Sequence, residues 1–190
     1  MITKAPGRLA LLLLVLALAM IGHALYLPAK ALLAQELLER AWQQSEQQGT
    51  AVKPWPWADT HPVAKISFPS LDREYIVLAG SMGRSLAFAP GHLTGTALPE
   101  EVGHMIISAH RDSHFQGLDE LEAGDLIEVE TLYGVIKRYQ VTATSIVDSR
   151  DNPLYIEAEK HLLTLLTCYP FDAIRAGGPL RYRLDAVPIA

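Results

Sequence analysis

Apolar positions fall into three regimes along the chain. From Leu9 to Leu27 the run LALLLLVLALAMIGHALYL contains no Asp, Glu, Lys or Arg. A helix rises about 1.5 Å per residue, so about 20 such residues cross the hydrocarbon core of a membrane. From Ala31 to Gln48 the sequence is rich in helix formers, and Leu33, Leu37, Leu38, Ala41 and Trp42 recur near a helical period. This pattern predicts a stalk or docking helix. Gly49 ends it, and KPWPWADTHP (Lys53 to Pro62) cannot continue a helix because of its three prolines. Trp55 and Trp57 in this linker either meet the membrane interface or pack on the domain, and packing is the expectation.

From His61 onward the pattern becomes one of short strands. Val63–Phe68 and Tyr75–Ala79 flank a polar turn at Ser70–Arg73. Met105–Ala109 is an apolar run, and Leu126–Thr131 alternates apolar with acidic. Val135–Val147 holds one strand or two, and Leu162–Thr167 and Leu180–Val187 complete the set. Short helical patches are expected at Gln116–Leu121 and Ile156–His161. Seven or eight strands in about 130 residues predict a closed or nearly closed all-β barrel, which leaves no strand edge exposed.

Charge adds direction. Lys4 and Arg8 precede the apolar run, so residues 1–8 are expected in the cytoplasm and the domain after the anchor outside it. Ala29-Lys30-Ala31 offers the alternative of a cleaved signal peptide; the length of the run and the lysine favour a retained anchor. The expected organisation is therefore 1–8 cytoplasmic, 9–27 transmembrane, 28–60 stalk and linker, and 61–190 barrel. With 16 basic against 21 acidic residues, the net charge of −5 argues against a nucleic-acid partner. One cysteine, Cys168, excludes an internal disulfide and a Cys-rich zinc site.

Cys168 stands at the end of the apolar segment Leu162–Thr167 and just before a loop marked by Pro170, Gly177, Gly178 and Pro179. An unpaired thiol on an exported chain is exposed to oxidation, so it is either a buried core residue or a reactive nucleophile. His110 also follows an apolar strand, and imidazole suits the two proton transfers that thiol acyl transfer requires. Arg175 and Arg181 both lie downstream, and either guanidinium is a suitable oxyanion donor. Asp112 is too close along the chain to orient His110 and reads as a surface carboxylate. His92, His104 and His114 lack metal-ligand spacing and read as structural or surface groups, as do the adjacent Glu100 and Glu101. No metal and no cofactor are expected.

These residues also carry a family resemblance. Thr164-Leu165-Leu166-Thr167-Cys168 matches the TLxTC signature of the sortases. Ser108-Ala109-His110-Arg111 resembles that family's AGHR segment, with Ala109 where many members have Gly. Leu180-Arg181-Tyr182-Arg183-Leu184 resembles its arginine-bearing strand, which favours Arg181 over Arg175. Ala89-Pro90-Gly91-His92, Gly95 and Gly103 resemble the approach to the histidine. The segments around Tyr169–Asp172 and Gly177–Pro179 look like those of the Gram-negative sortase group.

The resemblance implies an eight-stranded sortase-type barrel with short helices, behind a transmembrane helix and a stalk. It implies a cysteine transpeptidase with Cys168 as nucleophile, His110 as general acid and base, and Arg181 at the oxyanion, with Arg175 as fallback. Thr167 and Tyr169 are the implied substrate-binding positions, and the loop Tyr169–Gly178 and the segment Leu86–Leu98 the implied groove walls. The implied partners are an exported protein with a C-terminal LPxTG-like sorting signal and an amine acceptor, met on the periplasmic side of the inner membrane. A hydrolytic endopeptidase of the same fold and a non-catalytic tethered barrel are the alternatives.

Overall fold

The computed structural model describes residues 5–83, 85–151, 155–173 and 177–189. Arg175 lies outside them. The N-terminal apolar run and the stalk form one helix, α1 (Ala5–Gln48), which is long and apolar enough to cross a membrane. The transmembrane helix and the stalk helix, expected as two segments, form one continuous helix with Pro28 inside it. Proline within a helix removes one donor and crowds the preceding turn. Here it falls at the end of the apolar run, where strong helix formers continue on both sides. Gly49 ends the helix as the pattern predicts, at φ 64°, in the left-handed region that glycine enters without a Cβ penalty.

Eight strands follow: β1 (Pro62–Phe68), β2 (Arg73–Ala79), β3 (Gly91–His92), β4 (His104–Ser108), β5 (Leu126–Thr131), β6 (Ile136–Asp148), β7 (Leu162–Cys168) and β8 (Leu180–Ile189). They close into a barrel in the order β1-β2-β3-β4-β7-β8-β6-β5. The Val135–Val147 segment is one strand with a register shift between Val141 and Ala143. Residues 116–121 contain the short 3-10 turn Leu118–Glu120. Ile156–His161 holds a turn rather than a helix, and Glu157 there uses its N–H on a side chain of β4 (below) instead of on a helical carbonyl.

Alternation decides what each strand buries. Met105, Ile107 and Ala109 of β4 and its extension, Leu163 and Leu165 of β7, and Tyr182, Leu184 and Ala186 of β8 point into one core. The intervening positions therefore line the outer wall, since successive side chains in a strand face opposite sides.

α1 docks on this barrel through one stripe. Ala34, Leu38, Ala41, Trp42 and Ser45 are buried, at the spacing of one helix face. Leu38 packs against Leu78 and Ala89, with Ile76 and Phe88 around them. The Lys65 ammonium lies 5.6 Å from the centre of the Trp42 ring. Ser45 Oγ donates to Ala41 O and accepts the N–H of Val52, which fastens the returning linker to the helix. In that linker Trp55 packs edge-on against Phe88, whereas Trp57 is exposed.

Leu38 is fully buried, so Leu38→Ala should cost about 2–4 kcal/mol, the usual range for deleting a buried leucine side chain. Because the lost contacts join helix to barrel, proteolysis of the detergent-solubilised chain should accelerate first in the segment between Ala31 and Pro62.

Candidate active site

The site is built by strand register. β4 and β7 run parallel, pairing His104 with Leu162 and Ser108 with Leu166. Continuing that register by two residues sets His110 beside Cys168. β7 and β8 run antiparallel and pair Cys168 directly with Arg181. One row across three adjacent strands thus holds His110, Cys168 and Arg181. Side chains opposite each other in a row share a face, and here that face is the outer one.

All three line a cavity of about 340 Å³. Its floor is Leu166, Ser108 and Ile106, the outward positions below the row, and Leu86, Leu93 and Ser81 form a wall. Leu86 and Leu93 lie in a segment expected to wall the groove. Ser81 lies outside it and carried no sequence signal of its own. It is brought in by a close backbone approach. A Cβ at Gly91 would fall 2.4 Å from Gly80 O and 2.8 Å from Ser81 Cα, so only glycine lets the chain at 80–81 fold over β3. Cys168 is half-buried, and His110 is exposed at the rim.

Each residue of the TLLTC segment has its own task. Thr167 points inward and is buried, so its hydroxyl needs a partner; Oγ1 donates to Ala109 O at 2.7 Å. Ala109 N donates in turn to Leu166 O. The backbone just before His110 is therefore clipped to the backbone just before Cys168. Arg111, nearly buried, donates from Nη2 to Ala173 O at 3.0 Å and ties the segment after β7 to the histidine segment. Sequence reasoning gave Arg111 no role. Its neighbour Asp112 is exposed.

Tyr169 packs against the core, edge-on to Phe171 at 6.3 Å, and its N–H donates to Leu180 O. Thr167 contacts the cavity and Tyr169 stands beside it rather than among its lining residues. Arg181 donates from Nη1 to Gly178 O at 2.6 Å and to Leu180 O at 2.9 Å. Nη1 carries two of the five guanidinium hydrogens, so both bonds are made by one nitrogen.

A second polar group occupies the outward positions farther down the same strands. His104 is fully buried, and its Nδ1 accepts the N–H of Glu157. Nε2 therefore carries the proton and donates to Thr164 Oγ1 at 2.8 Å. Thr164 Oγ1 donates to Asp185 Oδ1 at 2.5 Å, and Arg183 Nε donates to the same oxygen. Burial, and after it the Arg183 charge, hold His104 below the ordinary histidine range, with Asp185 and Glu157 opposing. The other histidines expected to be structural behave so: His92 bonds Thr96 and Ala97, and His114 stacks edge-on against Tyr75. Glu101 caps a turn by accepting the N–H of Leu98.

Comparisons with known proteins find relatives in both sequence and fold. A sequence model of the sortase domain matches residues 66–188. Sortase D of Bacillus subtilis (strain 168) is 33% identical over 118 residues, covering 62% of this chain and 59% of that protein. Sortase A from Corynebacterium diphtheriae superposes with a TM-score of 0.62 at 27% identity, over 70% of this chain and 63% of that one. Sortase C1 of Streptococcus agalactiae, in its complex with MTSET, gives 0.60 at 26% identity over 68% of each chain. This chain thus spans less than two thirds of the Bacillus and Corynebacterium proteins.

Because native His104 releases its proton more readily than an unfolded histidine, the unfolded chain binds more protons just below the ordinary value of 6.5. Its contribution is intact above that value and is lost as pH falls through it. Melting temperatures taken from pH 7 to pH 5 should drop more steeply for the wild type than for His104→Gln. The difference is bounded by one proton, about 1.4 kcal/mol per pH unit.

Proposed function

Because the chain belongs to the sortase family of cysteine transpeptidases, we propose that Cys168, His110 and Arg181 cleave a sorting signal and transfer the cleaved protein to an amine. The observation that carries this reading is the single row that strand register makes of the three residues. The Cys168 thiolate attacks the carbonyl carbon between Thr and Gly of an LPxTG-like segment, and the developing oxyanion is met by Arg181. Nη2 and Nε of that guanidinium are the donors left for it, since Nη1 is held by the loop. His110 gives a proton to the departing amine, and a thioester on Cys168 remains. An incoming amine attacks the thioester, its proton passes to His110, and the C–S bond breaks to restore the Cys168 thiolate.

The largely apolar floor and wall, Leu166, Ile106, Leu86 and Leu93, suit a Leu-Pro segment and keep water from the thioester. Leu9–Leu27 anchors the protein in the inner membrane, with residues 61–190 on the periplasmic side. The partners in this reading are an exported protein bearing the signal and an amine acceptor.

Incubation with an LPxTG-type peptide and a small amine should give the amide product and a mass increment on Cys168 during turnover. Free acid alone at high amine concentration would replace the transpeptidase by a hydrolytic endopeptidase. Cys168→Ala should abolish turnover without lowering the melting temperature, because the thiol is half-exposed and fills no core position. Arg181→Lys should lower kcat by about 10²–10³-fold, the loss typical of a missing oxyanion donor, with a smaller change in KM.

A further inference from the structure

The direction in which α1 crosses the barrel fixes where the reactive row faces. Gly49, at the C-terminal end of α1, lies against the Tyr133 ring in the hairpin joining β5 to β6. That hairpin stands at the end of the barrel away from the row. β6 pairs with β8 at Arg138 and Ile189 near the hairpin, and at Val147 and Arg181 at the row. Farther back on α1, Trp42 meets Lys65 and Leu38 meets Leu78 and Ala89. Gln35, near the start of the docked stretch, donates from Nε2 to Phe88 O at 2.7 Å. Phe88 O is also a partner of the His114 side chain, which stacks on Tyr75 at the start of β2 and follows His110 by four residues. Gln35 thus docks beside the segment that follows His110, at the row end of the barrel.

N-terminal to Ala34, the described side chains of α1 are exposed, and Leu32 is the last of them to line a cavity with the barrel, beside Glu74, Tyr75 and Ile76 at the start of β2. The helix enters its docking stripe at the row end and finishes at the hairpin end. Its undocked apolar part therefore projects past the row end. From Leu27 to Gln35 is eight residues, about 12 Å of helix rise. The headgroup layer takes up about 5–7 Å of that.

We infer that the Cys168 end of the barrel faces the bilayer, held just above the lipid headgroups by the docking of Leu38 and Trp42. This rests on the reading of Leu9–Leu27 as a membrane anchor. The consequence is that the cavity takes its polypeptide along the membrane surface, not from the bulk aqueous side. The hairpin with Tyr133 points away from the lipid.

The test is energy transfer to an acceptor-labelled lipid, using the full chain reconstituted in phosphatidylglycerol–phosphatidylethanolamine vesicles. A donor is placed either on Cys168, the single native thiol, or on Val135→Cys in a Cys168→Ala background. The loss of donor emission should be greater at Cys168 than at position 135. Equal losses, or a greater loss at 135, overturn the orientation. A flexible Gly-Ser insertion between Leu33 and Ala34 should abolish the difference, and its persistence would overturn the role of the docked helix. Failure of the chain to float with the vesicles removes the anchor and the orientation together. None of these readouts depends on turnover, so they stand apart from the peptide assay above.

Discussion

The parallel pairing of β4 with β7 is the constraint on which the site depends. Parallel neighbours finish at the same end of a sheet, and the chain must cross over to make them do so. Residues 109–161 supply that crossover, and they include β5 and β6 from the far side of the barrel. The pairing brings a histidine and a cysteine, far apart in sequence, to adjacent strand ends. β8, antiparallel to β7, begins where β7 stops and adds an arginine at the same level. A shift of one residue in either register would turn one of these side chains into the core. Register is held by the inward face, where Met105, Ile107, Leu163, Leu165, Tyr182 and Leu184 must all remain buried, and by the hydroxyl of Thr167 on Ala109 O.

Period-two patterning made most of the barrel legible. β1, β2, β4, β5, β7 and β8 stand within two residues of their expected bounds, because each carries its own alternation or apolar run. β3 has two residues and no pattern; it exists because Gly91 and His92 bridge β2 and β4. The continuity of α1 through Pro28 was not legible either, since the wholly apolar run and the stalk after it carry different patterns and read as two segments. The motif residues were legible as chemistry, but nothing in the sequence placed Ser81 in the cavity wall or gave Arg111 its bond to Ala173. Both depend on tertiary approach.

The outer wall of β4, β7 and β8 changes character along its length. Near the strand ends it carries the row of His110, Cys168 and Arg181, then an apolar floor, and then the polar group of His104, Thr164, Asp185 and Arg183. The last group is buried at His104, where both ring nitrogens are bonded, which suits it to fastening the segment around Glu157 rather than to chemistry. A buried polar group of this kind stabilises only while every partner is in place.

The contact between Gly91 and the carbonyl of Gly80 bears on how the cavity can change. One wall is set by two stretches of main chain lying against each other, with no side chain between them to shorten or lengthen. Substitutions at Ser81, Leu86 or Leu93 can recolour that wall, making it more or less polar, but the backbone spacing at Gly91 stays where it is. Variation among chains with this glycine should therefore alter the polarity and reach of the side chains lining the cavity far more readily than the breadth of the cavity itself.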